Sequence, residues 1–170
     1  MTTTTVGAKL ADAHAAKWTQ GLTESLDAAL DLYADEFVYD DGNDLDHVID
    51  TPITKDELRP VLAPYSNKSR DNGSGVHRFE VREAFDLAGD NGLPAVVILW
   101  TWTGEALETY HGLPVGGRTL SALGITWQQL DANGKITRET TYWNDTPLLA
   151  ELGVPVQTPH YWEAGFVFPS

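Results

Sequence analysis

The chain contains no cysteine, which removes disulfides, thiolate zinc sites and cysteine nucleophiles from consideration. Basic residues are scarce. Eleven Lys and Arg stand against 25 Asp and Glu, for a net charge of -14, and no run of them makes a basic patch. Nucleic acids and anionic membranes are poor partners for such a surface, because affinity for both comes from Lys and Arg meeting phosphate. Polyanionic substrates are disfavoured for the same reason. Long apolar runs are missing too, and PAVVILW at 94–100 falls far short of a membrane span. The opening MTTTTVGAKLADAHAAKW has neither the basic nor the apolar region of a secretory leader, so the expectation is a cytoplasmic protein. There is no GxSxG elbow, P-loop, HxH or HExxH, and no metal or cofactor is expected. Gly112, Gly116 and Gly117 are spaced for a turn rather than a phosphate, since no helix start follows them.

What is present suits one globular domain, residues 1–170, with 42% hydrophobic and 21% charged residues and no repeat or linker. Leu10, Ala13, His14 and Lys17–Trp18 follow a helical period. Thr23 is placed to cap a second helix striped by Leu26, Ala29, Leu30 and Tyr33. EFVYD (36–40) alternates as a short strand. Thr54 is placed to cap a third helix over KDELRPVLAPY, with Asp56 and Glu57 in its first turn and Pro60 forced into that turn or distorting the helix. From residue 76 the pattern is strand: VHRFEVREAFDLA, AVVILWTWTGEA, RTLSALGITWQQL and ITRETTYWN. Asn133–Gly134 supplies the hairpin turn before the last of these. TPLLAELG reads as a short helix stopped by Gly153. Helices followed by long antiparallel strands predict an α+β fold, a cone-shaped curved antiparallel sheet packed on three N-terminal helices, with a hollow between the layers.

YADEFVYDD (33–41), HGLPVGGRTL (111–120) and DANGKITRETTYWNDTPLLAELG (131–153) carry a resemblance to the nuclear transport factor 2-like superfamily (cystatin-like α+β). The resemblance is to its polyketide cyclase (SnoaL-like) and ketosteroid isomerase-like branches, and it runs over a core of about residues 8–153. It implies that Asp41 is a general base facing the hollow. Independently of it, a carboxylate at the rim of an apolar hollow loses solvation, and its pKa rises toward the useful range. The opposing reading places Asp40, Asp41, Asp44 and Asp46 in a turn-rich loop as solvated or capping groups; a calcium loop lacks the regular ligand order and closing glutamate. Compared with the isomerases, Lys17 or Trp18 falls near the helix-1 tyrosine and Thr126 at the fourth-strand aspartic acid. An oxyanion site would have to be rebuilt from donors such as Tyr39, Trp18 or Thr126. The cyclase and epoxide hydrolase branches carry an aspartate at the end of the last strand. Asn144 falls at that position, and Asp145 would serve only with a one-residue shift that reverses its face. The Asp–Arg–Asp relay of the hydrolases is not recognisable.

Glu139 shares strand parity with Thr141 and Trp143. Inward, it is a second acid/base candidate; outward, it is a surface or interface charge, the reading that the rarity of buried unpaired glutamate favours. Among the histidines (His14, His47, His77, His111 and His160), His111 sits nearest the expected rim, and His47 follows the Asp41 loop. Trp100 and Trp102 share one face of their strand, Trp127 and Trp143 lie on neighbouring strands, and Trp18 is on the inner stripe of the first helix. Some of these indoles line a pocket with Tyr33 and Tyr39, and others serve a dimer contact through the sheet. The tail at 154–170, with Tyr161, Trp162, Phe166 and Phe168, is expected to close the pocket or the dimer. The functional expectation is cofactor-free acid/base catalysis (isomerisation, cyclisation or dehydration) on a hydrophobic carbonyl compound such as a polyketide, terpenoid or steroid-like molecule. Asp41 is the base, with Asn144, Glu139 or His111 as partner. The alternatives are an epoxide hydrolase of the same fold and a non-catalytic small-molecule binder.

Overall fold

The computed structural model describes residues 9–42, 48–89, 92–155 and 164–165. His47, Asp44, Asp46, His160 and nearly all of the aromatic tail lie outside the described residues. No described helix is long and apolar enough to cross a membrane.

Helix α1 (Leu10–Glu24) buries Ala11, His14, Ala15, Trp18 and Leu22. The predicted period is right, but the buried stripe is rotated. Leu10 is 47% exposed, and Ala13 and Lys17 face solvent, because His14 and Trp18, one turn apart, centre the helix on the sheet. Thr23 is not a cap. It remains inside α1, where its hydroxyl donates to the Thr19 carbonyl at 2.9 Å. Ser25 caps α2 (Leu26–Leu30) instead, accepting from the Ala28 N–H. Strand β1 (Tyr33–Asp41) follows, then β2 (Pro52–Thr54) and α3 (Lys55–Leu62). Thr54 caps α3 as predicted, in a reciprocal capping box with Glu57. Pro60 sits inside the helix rather than in its first turn. A 310 turn (Ala63–Ser66) completes the segment.

The long strands are β3 (Ser74–Ala88), β4 (Pro94–Leu107), β7 (Leu120–Leu130) and β8 (Ile136–Asn144). Between β4 and β7 the predicted loop contains a small hairpin, β5 (Thr109–Tyr110) and β6 (Leu113–Pro114). Its turn residues His111 and Gly112 both have positive φ, 48° and 77°, the backbone of a tight hairpin turn. Helix α4 (Thr146–Glu151) ends before Gly153, at φ 92°.

The six-stranded sheet has the order β2-β1-β8-β7-β4-β3 and is curved but not closed. One correction concerns direction: β1 runs parallel to β8, with Tyr39 opposite Glu139 and Asp41 opposite Thr141. The other pairings are antiparallel. No hairpin links β1 to β8, since nearly the whole chain winds between them, so turn chemistry does not set their direction. Helices α1–α3 cover the concave face, and the core lies between the layers, with Trp18, Leu22, Tyr33, Phe37, Leu58, Ile98, Trp100 and Trp102 buried in it.

Two indoles need a glycine close by, one across the ladder and one on the same strand. Trp100 lies opposite Gly124, where an added Cβ would come within 2.2 Å of the ring. Gly104 clears Trp102 in the same way. The outer face is different: Phe85, Leu123, Ile125 and Tyr142 are exposed there.

Candidate active site

Alternation along β1 and β8 decides what faces the helices. On β1, Phe37, Tyr39 and Asp41 point inward; on β8, Glu139, Thr141 and Trp143 do so. With α1 and the α3–310 segment they enclose a cavity of about 30 Å³, room for a water molecule or two. Its wall is aromatic, with Trp18, Tyr39, Tyr65, Phe79, Trp100 and Trp143, and Asp41, Glu139 and Thr141 are its polar members. The rings meet edge-on or tilted: Trp18 lies 5.9 Å from Phe79 and 6.2 Å from Trp100, and Tyr65 lies 5.2 Å from Phe79.

Glu139 is the centre of the site. It is 2% exposed, which corrects the outward expectation. The rarity argument fails because this carboxylate is not unpaired. Tyr33 Oη donates to its Oε2 at 2.7 Å, Gln128 Nε2 donates to the same oxygen at 2.6 Å, and Thr141 Oγ1 donates to Oε1 at 3.2 Å. Each donor is held in turn. His14 Nε2 lies 2.7 Å from Gln128 Oε1. Because the Gln128 amide nitrogen is committed to Glu139, its oxygen must accept, so His14 donates. Burial lowers the His14 pKa, helped by nearby Lys17 and opposed by the Gln128 bond, so the ring is neutral with its proton on Nε2. On the other side, the Trp100 indole donates to Thr126 Oγ1 at 2.9 Å, and Thr126 meets Thr141 at 2.8 Å.

The Glu139 pKa is raised. Burial is the main cause, and the bonds from Gln128, Tyr33 and Thr141, with the nearby Trp18 N–H, oppose it. Oε2 carries two short bonds and Oε1 only the long one, so Oε1 is the oxygen open to a proton. Tyr65 is pushed up to about 12 by burial, with the charges of Asp41 and Glu139 adding. Tyr39 and Tyr33 are raised well above their ordinary value, first by burial and then by Glu139. All three phenols therefore stay protonated and remain donors near neutral pH. Among the described residues, no Lys or Arg lines the cavity.

The structure brings together Asp41, Glu139, Trp18, Tyr39, Trp100 and Trp143 of the predicted set. Tyr33 and Thr126 lie behind the wall, as donors in the network around Glu139. Trp102 is buried, stacked on His77 and giving its N–H to His77 Nδ1 at 3.1 Å. Asn144 is not in the cavity. It is exposed and its side chain accepts from the Thr146 N–H at 3.2 Å, because strand parity turns it away from Trp143. His111 is exposed on the β5–β6 turn and pairs with Asp145 at 3.4 Å, outside the cavity wall. Trp127 is on the opposite face from Thr126 and Gln128, so the described indoles do not all face the cavity.

An Asp–Arg–Asp arrangement does exist, on the wrong face. Arg138 contacts Asp40 at 2.7 Å and also pairs with Asp50, both on the outer side of β1 and β8. Sequence reasoning missed Gln128, Tyr65, Phe79, Leu22 and Leu62. Gln128 had a signal, a polar residue in parity with Thr126 on a strand. Tyr65 had none, since its place depends on where α3 docks.

No protein-family model matches the chain, and no curated protein does. Solved structures do match. A candidate polyketide cyclase from Acidithiobacillus ferrooxidans is similar at 20% identity over 85% of this chain and 95% of that one, with a TM-score of 0.63. IdmH, a candidate polyketide cyclase from Streptomyces antibioticus, matches at 18% identity over 84% of this chain and 98% of that one, with a TM-score of 0.62. AclR, a candidate hydroxylase from Streptomyces galilaeus, matches at 14% identity over 89% of this chain and 85% of that one, with a TM-score of 0.62. The fold is that of the SnoaL-like polyketide cyclases within the nuclear transport factor 2-like architecture, as the sequence resemblance implied. One fold carries many reactions, and the differing descriptions of these neighbours illustrate it.

Proposed function

We propose that the chain is a cofactor-free acid/base catalyst of the cyclase type, acting through an enolate on a hydrophobic carbonyl compound such as a polyketide, terpenoid or steroid-like molecule. The observation that carries this reading is the placement of two carboxylates, Asp41 and Glu139, on one aromatic cavity wall. Asp41, half-buried, is the base that takes a proton from carbon next to the carbonyl. Glu139, whose burial favours its protonated form, holds a proton on Oε1 and passes it to the developing oxygen. The Tyr39 and Tyr65 hydroxyls are further donors. Separating two carboxyl groups into a base and an acid by environment is a recurrent device for such chemistry.

The cavity is tight. Ligand pockets run to roughly 300 Å³ or more, so a substrate of this class needs the Leu62–Tyr65 wall to move outward. The tightness favours a second reading, a binder of a small ligand without chemistry. The Asp40–Arg138–Asp50 group lies away from the cavity and gives epoxide hydrolysis no support. The homodimer expected from the sequence belongs to the proposal too. Phe85, Leu123, Ile125 and Tyr142 form an exposed apolar face, and the same patch on a second copy covers it without any further component. Ile125→Lys is expected to turn a dimer into a monomer in light scattering.

The deciding experiment uses 1-tetralone, a flat bicyclic ketone with exchangeable hydrogens next to its carbonyl. The purified protein in D2O is expected to accelerate exchange of those hydrogens, followed by NMR, and Asp41→Asn is expected to remove about 10²–10⁴-fold of that rate. Tetralone binding without exchange would establish the binder instead.

A further inference from the structure

Two buried indoles of the core have hydrogen-bond partners. Trp100 gives its N–H to Thr126, and Trp102 gives its N–H to His77. Trp18, 3% exposed and lining the cavity, makes no hydrogen bond through Nε1. Its N–H does lie near enough to Glu139 and Tyr33 to favour their charged forms, but without normal hydrogen-bond geometry to either. A buried donor left unsatisfied is costly and rare in native proteins. Indole nitrogen is donor only and cannot accept, so the group it lacks is an acceptor. Trp18 is also held firmly: it rides on α1 between His14 and Leu22, both buried, with Phe79 and Trp100 against its ring. A donor fixed in this way does not reorganise when charge develops on its acceptor.

We infer that Trp18 Nε1 is the hydrogen-bond donor to the ligand's carbonyl oxygen, sharing that oxygen with Glu139. This rests on the functional reading above and names the ligand chemistry it requires: a flat, apolar molecule with an acceptor-only oxygen seated between Trp18 and Glu139. An ammonium group in that position would present only hydrogens to a donor that cannot receive them. No new bond is made; the indole proton is shared and returned as the carbonyl becomes an enolate and reverts.

The test compares 1-tetralone with tetralin, the same skeleton without oxygen. The wild-type protein is expected to bind tetralone more tightly than tetralin. Trp18→Phe, which keeps an apolar ring, is expected to reduce that preference by roughly 3- to 10-fold, the worth of one hydrogen bond, with tetralin affinity changed far less. Glu139→Gln keeps a donor and is expected to retain most of the preference. In wild-type protein the Trp18 indole N–H resonance is expected to move downfield with tetralone and not with tetralin, a reading that needs no variant to fold. An unmoved resonance, or an unchanged preference in Trp18→Phe, overturns the assignment. Failure of both compounds to bind overturns it together with the functional reading. A Trp18-dependent preference with no exchange catalysis in D2O upholds the assignment and removes the catalytic reading alone.

Discussion

Asp40 and Asp41 are adjacent in the chain, as are Arg138 and Glu139, yet each pair is divided between the two faces of one sheet. On the outer face Asp40 and Asp50 share Arg138, and charge is balanced by charge at the edge of solvent. On the inner face Asp41 and Glu139 line a cavity with phenols and indoles, and Glu139 takes its hydrogen bonds from a phenol, an amide and a hydroxyl. The outer carboxylates are paired with a guanidinium. Inside, Glu139 is bonded by neutral donors, and burial raises its pKa. The same residue types one position apart thus become a fastening on one side and, on the proposed reading, a chemical site on the other.

The sharpest way to break this contrast is to remove each aspartate's charge in turn. If tetralone exchange is catalysed as proposed, Asp41→Asn loses about 10²–10⁴-fold of the rate, whereas Asp40→Asn stays within about 3-fold and loses roughly 1 kcal/mol of stability instead. Equal effects of the two changes on exchange would erase the distinction between the faces. The neighbouring pair makes the same comparison in stability. Glu139→Leu leaves the Tyr33, Gln128 and Thr141 donors without their acceptor and is expected to cost about 3–5 kcal/mol in denaturant unfolding. Arg138→Met strands a nearly buried Asp40 beside water and is expected to cost about 1–2 kcal/mol.

Much of this was legible in the sequence. The inward placement of Asp41 is what the family resemblance implied; the cap at Thr54 is a local signal that held, and of the Asn133–Gly134 turn only Gly134 takes the positive φ expected of both. The parity of Glu139 with Thr141 and Trp143 was equally readable, but not its face. A buried carboxylate is tolerable only if donors from other elements reach it, and those donors sit on α1, β1 and β7, where no local pattern announces them. The direction of β1 against β8 was hidden for a related reason: it is set by the path of the whole chain. Asn144 went wrong because a motif was followed past the point where strand parity turned the side chain outward.

Gly124 sharpens the comparison from the packing side. It is the position on β7 that lets Trp100 lie flat against the ladder. Gly124→Ala drives a methyl group into the indole and is expected to cost about 1–3 kcal/mol. Because Trp100 also donates to Thr126, the displaced ring should weaken tetralone binding as well. A substitution on the outer strand face, Thr140→Ala, should leave both nearly unchanged, within about 0.5 kcal/mol of stability.

The smallest effect expected is one of slope. In the folded protein Glu139 has a pKa above the ordinary glutamate value of 4.5, chiefly through burial. A carboxyl group raised in this way keeps its proton in the folded state at pH values where the unfolded chain has released it. The folded state then binds more protons, and stability falls as pH rises through that window. Below about 4.5 the group contributes no penalty; above its folded pKa the penalty is complete and constant. His14 and His77 have the opposite sign, since burial lowers both, and their contribution makes stability rise with pH below the ordinary histidine value. Glu139→Gln removes the glutamate titration and leaves the histidines in place. The unfolding free energy of the wild type minus that of Glu139→Gln should therefore decline from about pH 4.5 upward and then level, the histidine contributions cancelling in the difference. If Glu139 supplies the proton, tetralone exchange should decline with its midpoint at the pH where that curve levels. A flat difference curve would mean that the donors around Glu139 fully offset its burial, and the carboxylate inside the sheet would be a fastening like the one outside.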